Sequence, residues 1–264
     1  MPSLPIFQVD AFSGRPFAGN PAAVCPVERP LADELMQEIA AENNLSETAF
    51  FQREGSAFHL RWFTPTVEVE LCGHATLASA FVLMTEIEPA RTEVAFRTRS
   101  GLLKVSRQGE LYELDFPAYP PVPTGDSTVA IAEALGDSPV EILRARSWLA
   151  VFASADAIRG LDPDMRALAR IGNGVCVTAP ADASTPGVDF VCRYFAPSHG
   201  IPEDPVTGSA FCTLAPYWTP RFGNRRLRAL QLSRRGGEVL CQLQDQRVLI
   251  AGRARLVIKG TFHY

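Results

Sequence analysis

An internal repeat constrains the fold of this chain more than any other feature of its sequence. The segment RWFTP at residues 61–65 returns 132 residues later as RYFAP at residues 193–197, in a chain of 264 residues. Each copy is followed by a run of small residues, GHATLA at 73–78 and GSAFCTLA at 208–215. Matching segments in the same order indicate an ancient duplication. We therefore predict two similar domains with a cleft between them, a common position for a ligand.

A third match extends the repeat upstream. The segment GNPAAV at residues 19–24 is loosely echoed by GNGVCV at residues 172–177. Its offset of 153 residues differs from the other two, which makes it the weakest of the three matches. We interpret it as part of the same duplication.

Apolar patterning predicts that each half consists mostly of strands around one central helix. Residues 30–43 carry apolar side chains at helical spacing, and residues 73–85 are apolar nearly all round, as expected of a buried helix. Residues 207–218 are the corresponding helix of the second half. Strands are predicted at residues 6–12, 47–51, 58–64, 93–116 (three strands), 227–233, 237–243 and 247–257. The predicted fold class is therefore α+β, with two pseudo-symmetric domains, each a mostly antiparallel β-roll or barrel around a central helix.

A proline-rich stretch marks the predicted domain boundary. Four prolines and Gly125 lie between residues 117 and 125, a composition typical of a linker. We place the first domain at residues 1–117 and the second at residues 126–253. The final strand, at about residues 254–264, can belong to either domain, and one alternative is that it returns to the first.

Composition and missing motifs exclude several classes of function. The chain carries 25 basic and 29 acidic residues, a net charge of −4, which does not favour binding to nucleic acid or to an acidic membrane. No apolar run approaches the ~18 residues of a membrane span, so we expect a cytoplasmic protein. The cysteines form no C-x-x-C pair and the histidines no H-E-x-x-H motif. Neither a P-loop nor a dinucleotide fingerprint occurs. We predict no metal and no cofactor.

The two predicted helix starts suggest a site for a carboxylate. A helix start presents unpaired backbone N–H groups and the positive end of the helix dipole. Gly73 and Gly208 would let a ligand approach this backbone closely. His74, Thr207 and Ser209 are available as further donors. The alternative is that these glycines only permit tight packing between helix and strand.

Three ionisable side chains lie on the same segments, namely Glu47, His74 and Asp204. Each also has an ordinary structural interpretation, as a surface carboxylate at a strand start, a helix-capping histidine and an Asx-turn residue. Cys72 precedes the first helix, but the repeat aligns it with Thr207. A racemase with two thiols would therefore lack one of them.

Five segments together resemble the PhzF-like family of phenazine-biosynthesis proteins. These are GNPAAV at 19–24, NLSETAF at 44–50, RWFTP at 61–65, CGHATLA at 72–78 and EDPVTGSA at 203–210. The resemblance implies the diaminopimelate-epimerase-like fold and a cofactor-free isomerisation that moves a proton within a small cyclic amino acid. It implies that Glu47 is the general acid/base and that His74, Asp204 and Ser209 line the site. Among the substrate-binding residues it places Asn20, Cys72, Gly73, Thr207, Gly208 and Ser209.

We therefore predict an isomerase that acts on a small carboxylate or amino-acid-like metabolite and works as a homodimer. One alternative is an amino-acid epimerase or racemase that uses Cys72 with a second base other than a thiol. Another is a non-catalytic member of the family that binds a small acid or a protein.

Overall fold

The computed structural model describes residues 1–125 and 128–264 of the chain. The predicted start of the second domain, at residue 126, lies outside the described residues. The chain divides into two compact units. Unit 1 comprises Met1–Asp115 together with Ala251–Tyr264, and unit 2 comprises Phe116–Ile250.

Strands dominate both units. In chain order they are β1 (Ser3–Ala11), β2 (Asn20–Val27), β3 (Glu47–Glu54), β4 (Ala57–Phe63), β5 (Glu68–Val69), β6 (Glu93–Thr98), β7 (Gly101–Gln108), β8 (Leu111–Pro117), β9 (Val122–Pro123), β10 (Glu141–Arg144), β11 (Trp148–Val151), β12 (Val175–Pro180), β13 (Phe190–Phe195), β14 (Arg226–Gln231), β15 (Gly237–Gln244), β16 (Arg247–Gly252) and β17 (Ala254–His263). The α-helices are α1 (Asp33–Asn43), α2 (Gly73–Val82), α3 (Thr128–Leu135), α4 (Ala155–Gly160), α5 (Met165–Ile171) and α6 (Phe211–Phe222). None of the described helices combines the length and the apolar character needed to cross a membrane.

The two units repeat one order of strand pairing, which confirms the predicted internal repeat. In unit 1, β1 to β4 are joined by antiparallel, parallel and antiparallel pairings, and β4 then runs parallel to β6, which is antiparallel to β7. In unit 2, the strands β10 to β15 follow the same sequence of pairings. Helix α2 connects β4 to β6, and α6 connects β13 to β14. The segments RWF at residues 61–63 and RYF at residues 193–195, which we call the RxF segments, therefore occupy equivalent positions. The two central helices do so as well.

The match of residues 19–24 to residues 172–177 is wrong, because the two segments do not occupy equivalent positions in the two units. The segment at residues 19–24 opens β2, whose counterpart is β11, whereas the segment at residues 172–177 opens β12, the counterpart of β3. The two segments look alike because each turns into a strand through a residue with positive φ, 72° at Gly19 and 68° at Gly172. The similarity therefore reflects the residue types that such a turn favours, and it does not come from the duplication.

Each unit contains a central helix, as predicted, but the second one begins later than expected. Nine of the ten residues of α2 are buried. In unit 2, residues Gly208–Ala210 form a short 3₁₀ turn, and α6 begins only at Phe211. Pro216 within α6 has no N–H to donate to the carbonyl of Cys212. That carbonyl instead accepts the N–H of Tyr119 at 2.8 Å. The short helices α3, α4 and α5 of unit 2 were not predicted.

The repeated RxF segments form the same ionic contact in both units. Arg61 donates from Nε and Nη2 to the two carboxylate oxygens of Glu68, both at 2.8 Å. Arg193 does the same to Glu203, at 2.7 and 3.1 Å. Each guanidinium lies over the phenylalanine two residues later, about 5 Å from the ring centre. We call these two contacts the Arg–Glu clamps.

We expect Arg193→Met to destabilise the protein by about 2–3 kcal/mol, because the substitution leaves the half-buried Glu203 carboxylate without its bidentate partner. Urea unfolding followed by circular dichroism measures this change. The matched control is Arg228→Met, which removes an exposed ion pair with Glu238 in the same unit and should cost less than about 1 kcal/mol. Equal losses in the two variants would contradict a special role for the clamp.

Candidate active site

Glu47 is placed at the first position of β3 by a tight turn. Helix α1 ends at Asn43, and Asn44 adopts a left-handed conformation with φ 48°, which turns the chain towards β3. The side chain of Asn43 donates to Thr48 Oγ1 at 3.1 Å and holds this turn. Glu47 is only 8% exposed. A carboxylate at a strand start is ordinarily on the surface, so its burial is the first indication of a special environment.

Asn20 opens β2, the strand that pairs in parallel with β3. Gly19 precedes it with φ 72°, and a Cβ at that position would lie 2.1 Å from the carbonyl oxygen of Ala11. Only glycine fits this approach of two backbone segments. Because β2 and β3 run parallel with Ala22 opposite Glu47, their first residues lie at the same edge of the sheet.

His74 and Cys72 come from the start of α2. Cys72 occupies the position before the first helical residue, and its carbonyl accepts from Thr76 Oγ1 at 2.5 Å. Gly73 and His74 form the first turn, where the backbone N–H groups have no partner within a helix. His74 is 5% exposed and Cys72 is 6% exposed. The chain thus buries an imidazole and a thiol at the positive end of its central helix.

These four residues meet in one cluster, which we call the Glu47 cluster (Asn20, Glu47, Cys72 and His74). His74 Nε2 lies 3.1 Å from Glu47 Oε2. His74 Nδ1 lies 3.2 Å from Asn20 Nδ2 and 3.5 Å from Cys72 Sγ. Each ring nitrogen therefore faces a different part of the cluster.

This arrangement places a proton on the side of the ring that faces Glu47. In the neutral imidazole, Nδ1 accepts from Asn20 Nδ2, so the ring proton is on Nε2. In the charged imidazolium, Nε2 is protonated as well, and the sulfur of Cys72 can accept from Nδ1. In both forms Nε2, the ring nitrogen that lies near Glu47, carries a proton.

The contact between Glu47 and His74 is close but incomplete. Within the described part of the chain, neither Glu47 Oε2 nor His74 Nε2 has a partner with hydrogen-bond geometry, although the two atoms lie at ion-pair distance. Buried polar atoms without a hydrogen bond cost free energy, and those that persist require an explanation. Both atoms are therefore available to a group that enters the cluster.

The cluster shifts the protonation of its members in different directions. Burial lowers the pKa of His74, but negative charge on Cys72 and Glu47 raises it, and the net result is a pKa well above the usual value. Burial raises the pKa of the Cys72 thiol, and the charge of Glu47 raises it further. The charge of Glu47 therefore acts on both neighbours, because it raises the pKa of the His74 imidazole and that of the Cys72 thiol.

The donor set of the cluster would also suit a metal ion. Glu47, Cys72 and His74 each offer one ligand atom, and these atoms lie within 4.8 Å of one another. The absence of a metal from this site therefore stays a prediction.

The remaining predicted site residues belong to unit 2. Asp204 and Thr207 are joined by a hydrogen bond from Thr207 Oγ1 to Asp204 Oδ2, at 2.6 Å. Gly208 is buried and Ser209 is exposed, both in the 3₁₀ turn that precedes α6. The equivalent of Glu47 in unit 2 is Gly174, because Thr48 lies opposite Phe63 and Val175 lies opposite the matching Phe195. Unit 2 therefore has no carboxylate at that position.

Gln231 of unit 2 contacts the predicted site residues but was not predicted from the sequence. The Gln231 side chain accepts from the Thr207 N–H at 2.8 Å and donates to the Asp204 carbonyl at 2.7 Å. A signal was present, because Gln231 lies in phase with the inward-facing Leu227 and Ala229 of β14. A polar residue on the buried face of a strand requires a partner.

Comparison with known proteins agrees with this fold. The family model described as phenazine biosynthesis-like protein matches residues 9–260. An uncharacterized isomerase from Pseudomonas aeruginosa is 52% identical over 97% of each chain. The crystal structure of a PhzF-family phenazine biosynthesis protein from Enterococcus faecalis superposes with a TM-score of 0.93, at 43% identity and over the whole of both chains.

A more distant structure shares the fold alone. A hydroxyproline epimerase from Agrobacterium vitis superposes with a TM-score of 0.60 over 98% of this chain and 92% of its own, at 11% identity. The overall α+β fold is thus common to this chain and to this epimerase. The match of the family model and the close relatives show that the chain belongs to the PhzF family of phenazine biosynthesis-like proteins.

Proposed function

We propose that this protein is a cofactor-independent isomerase that moves a proton on a small carboxylate or amino-acid-like metabolite. The observation that carries the proposal is the buried contact between Glu47 Oε2 and His74 Nε2, 3.1 Å long and without hydrogen-bond geometry. A carboxylate and an imidazole in this state can exchange a proton with a bound molecule. The name of the Pseudomonas aeruginosa relative supports the same class of reaction.

In the proposed reaction, Glu47 removes a proton from a carbon atom of the substrate. The electron pair of the broken C–H bond passes into the conjugated system of the substrate, and Glu47 returns the proton to a different carbon. Atoms and charge balance without a further reactant. The positive charge of His74, whose Nε2 lies 3.1 Å from Glu47 Oε2, stabilises the carboxylate before and after the transfer.

The start of α2 at Gly73 stabilises negative charge in the proposed reaction. Its backbone N–H groups and the positive helix end favour the carboxylate of the substrate and the negative charge that develops during the reaction. Asp204 as a further catalytic residue, and Thr207, Gly208 and Ser209 as substrate contacts, stay predictions. Asn20 and Cys72 both have His74 as a neighbour, and their roles as substrate contacts also stay predictions.

A thiol-based epimerase is the competing mechanism. Cys72 lies close enough to His74 to lose a proton to it. Two observations weigh against this mechanism, because burial raises the pKa of the thiol and because the equivalent residue of unit 2 is Thr207. The two mechanisms differ in which substitution abolishes activity.

We expect Glu47→Gln to reduce proton exchange about 10²–10⁴-fold, the usual contribution of a general acid–base group, and Cys72→Ala to reduce it much less. Candidate amino acids and cyclic carboxylates are incubated in deuterated water, and deuterium at carbon is measured by mass spectrometry. The control is Glu54→Gln, an exposed carboxylate at the other end of β3. Loss of exchange in Cys72→Ala with full exchange in Glu47→Gln would replace the isomerase with the thiol-based epimerase.

A second prediction concerns the charge of His74 and needs no substrate. Its pKa, measured by NMR titration of the ring, should lie above the usual value of about 6.5 and should fall in Glu47→Gln, because the neighbouring anion is removed. The Glu54→Gln control should leave the titration unchanged. A His74 titration that does not respond to Glu47→Gln would contradict the ion pair.

The raised pKa also determines how stability depends on pH. A histidine that binds its proton more tightly in the folded state stabilises that state fully below about pH 6.5, and this contribution is lost as the pH rises through the folded pKa. Thermal unfolding over pH 5–9 should therefore show a loss of stability on the alkaline side. The loss should be smaller in Glu47→Gln.

A further inference from the structure

Gln231 is an unusual residue to find in the interior of unit 2. It is the last residue of β14, lies between Cys192 of β13 and Gly237 of β15, and is 1% exposed. A primary amide has two N–H donors and an oxygen that accepts twice. Burial of such a group is unfavourable unless hydrogen bonds replace those to water.

The amide of Gln231 has one partner on β13, the thiol of Cys192, which donates to its oxygen at 4.0 Å. Its other contacts are with one short segment, residues 204–207. Its oxygen accepts from the N–H of Thr207 at 2.8 Å, and its nitrogen donates to the carbonyl of Asp204 at 2.7 Å. It thus joins the first residue of the segment to the last. Ser233 adds a bond from its hydroxyl to the carbonyl of Pro205, at 2.7 Å.

A third contact determines the direction of the Thr207 hydroxyl. Gln231 Nε2 lies 3.3 Å from Thr207 Oγ1, and Thr207 Oγ1 lies 2.6 Å from Asp204 Oδ2. An amide nitrogen can only donate, so the hydroxyl oxygen accepts from Gln231. Its one hydrogen is then free to be donated to the carboxylate, which can only accept when ionised. The three groups form a chain in which each hydrogen bond supports the next.

We propose that Gln231 is a positioning residue for the predicted site residues of unit 2: it holds residues 204–207 in place and orients the Thr207 hydroxyl towards the Asp204 carboxylate. Residue 207 is followed at once by the turn Gly208–Ala210, so the same amide also fixes where that turn begins. The inference rests on the proposed function only for the role of Asp204 towards a substrate. The hydrogen-bond chain itself does not depend on that function.

The test is a double-mutant cycle on the protein without substrate, read from the pKa of the Asp204 carboxyl by carbon-13 NMR. Thr207→Val removes the hydrogen bond to the ionised carboxylate and should raise this pKa by roughly one unit. Gln231→Met introduces a side chain of similar volume but removes the amide that orients the Thr207 hydroxyl. It should therefore also raise the pKa of Asp204. Because Gln231 acts through Thr207, the double variant should show no more than the shift of Thr207→Val alone.

A second variant separates orientation from packing. Gln231→Glu keeps an oxygen for the N–H of Thr207 but loses both donors, so exchange of the Thr207 amide hydrogen should stay slow. In Gln231→Met that amide should exchange at least tenfold faster. The control is Gln244→Met at the exposed end of β15, which should change neither measurement.

Two results would overturn the proposal while leaving the isomerase intact. One is additive pKa shifts in the double variant, which would assign Gln231 a general packing role. The other is an Asp204 pKa that responds to Thr207→Val but not to Gln231→Met. The deuterium-exchange experiment on Glu47 tests the reaction separately, so failure of one does not imply failure of the other.

Discussion

The two Arg–Glu clamps hold the segments that lead to Cys72 and His74 in unit 1 and to Asp204 in unit 2. Glu68 is four residues before Cys72, and Glu203 is the residue before Asp204. A bidentate contact fixes the orientation of the carboxylate as well as its distance. The phenylalanine ring against each guanidinium shields one face from water, which strengthens the attraction. Each clamp therefore ties a strand to the segment that leads into the central helix.

The duplication kept this scaffold and changed the chemistry that it presents. Unit 1 carries Glu47 and His74, whereas the position equivalent to Glu47 in unit 2 is Gly174. Unit 2 carries instead a chain of amide, hydroxyl and carboxylate groups. A proton carrier has to be poised between two protonation states, while a group that orients a ligand needs one fixed hydrogen-bond pattern. The divergence of the two units is consistent with such a division of tasks.

Much of the site and fold was accessible from sequence because it is encoded locally. The uninterrupted apolar run after Gly73 predicted a buried helix, and nine of the ten residues of α2 are buried. The alternating residues 93–116 predicted three strands, which are β6, β7 and β8. The five motifs identified the family, and Glu47 and His74 were chosen from within them. In contrast, the match of residues 19–24 to residues 172–177 failed, because a short turn motif carries no information on which strand follows.

By itself the sequence determined the two central helices, the repeat and the residue types that can move a proton, because periodicity and short motifs depend on neighbours along the chain. Only the tertiary structure decided that β2 and β3 lie parallel, that His74 turns Nε2 to Glu47 and Nδ1 to Asn20, and that Gln231 spans residues 204–207. These contacts join residues that are 24 to 54 positions apart. A hydrogen bond depends on distances and angles within tenths of an ångström, and only the packing of distant segments sets them.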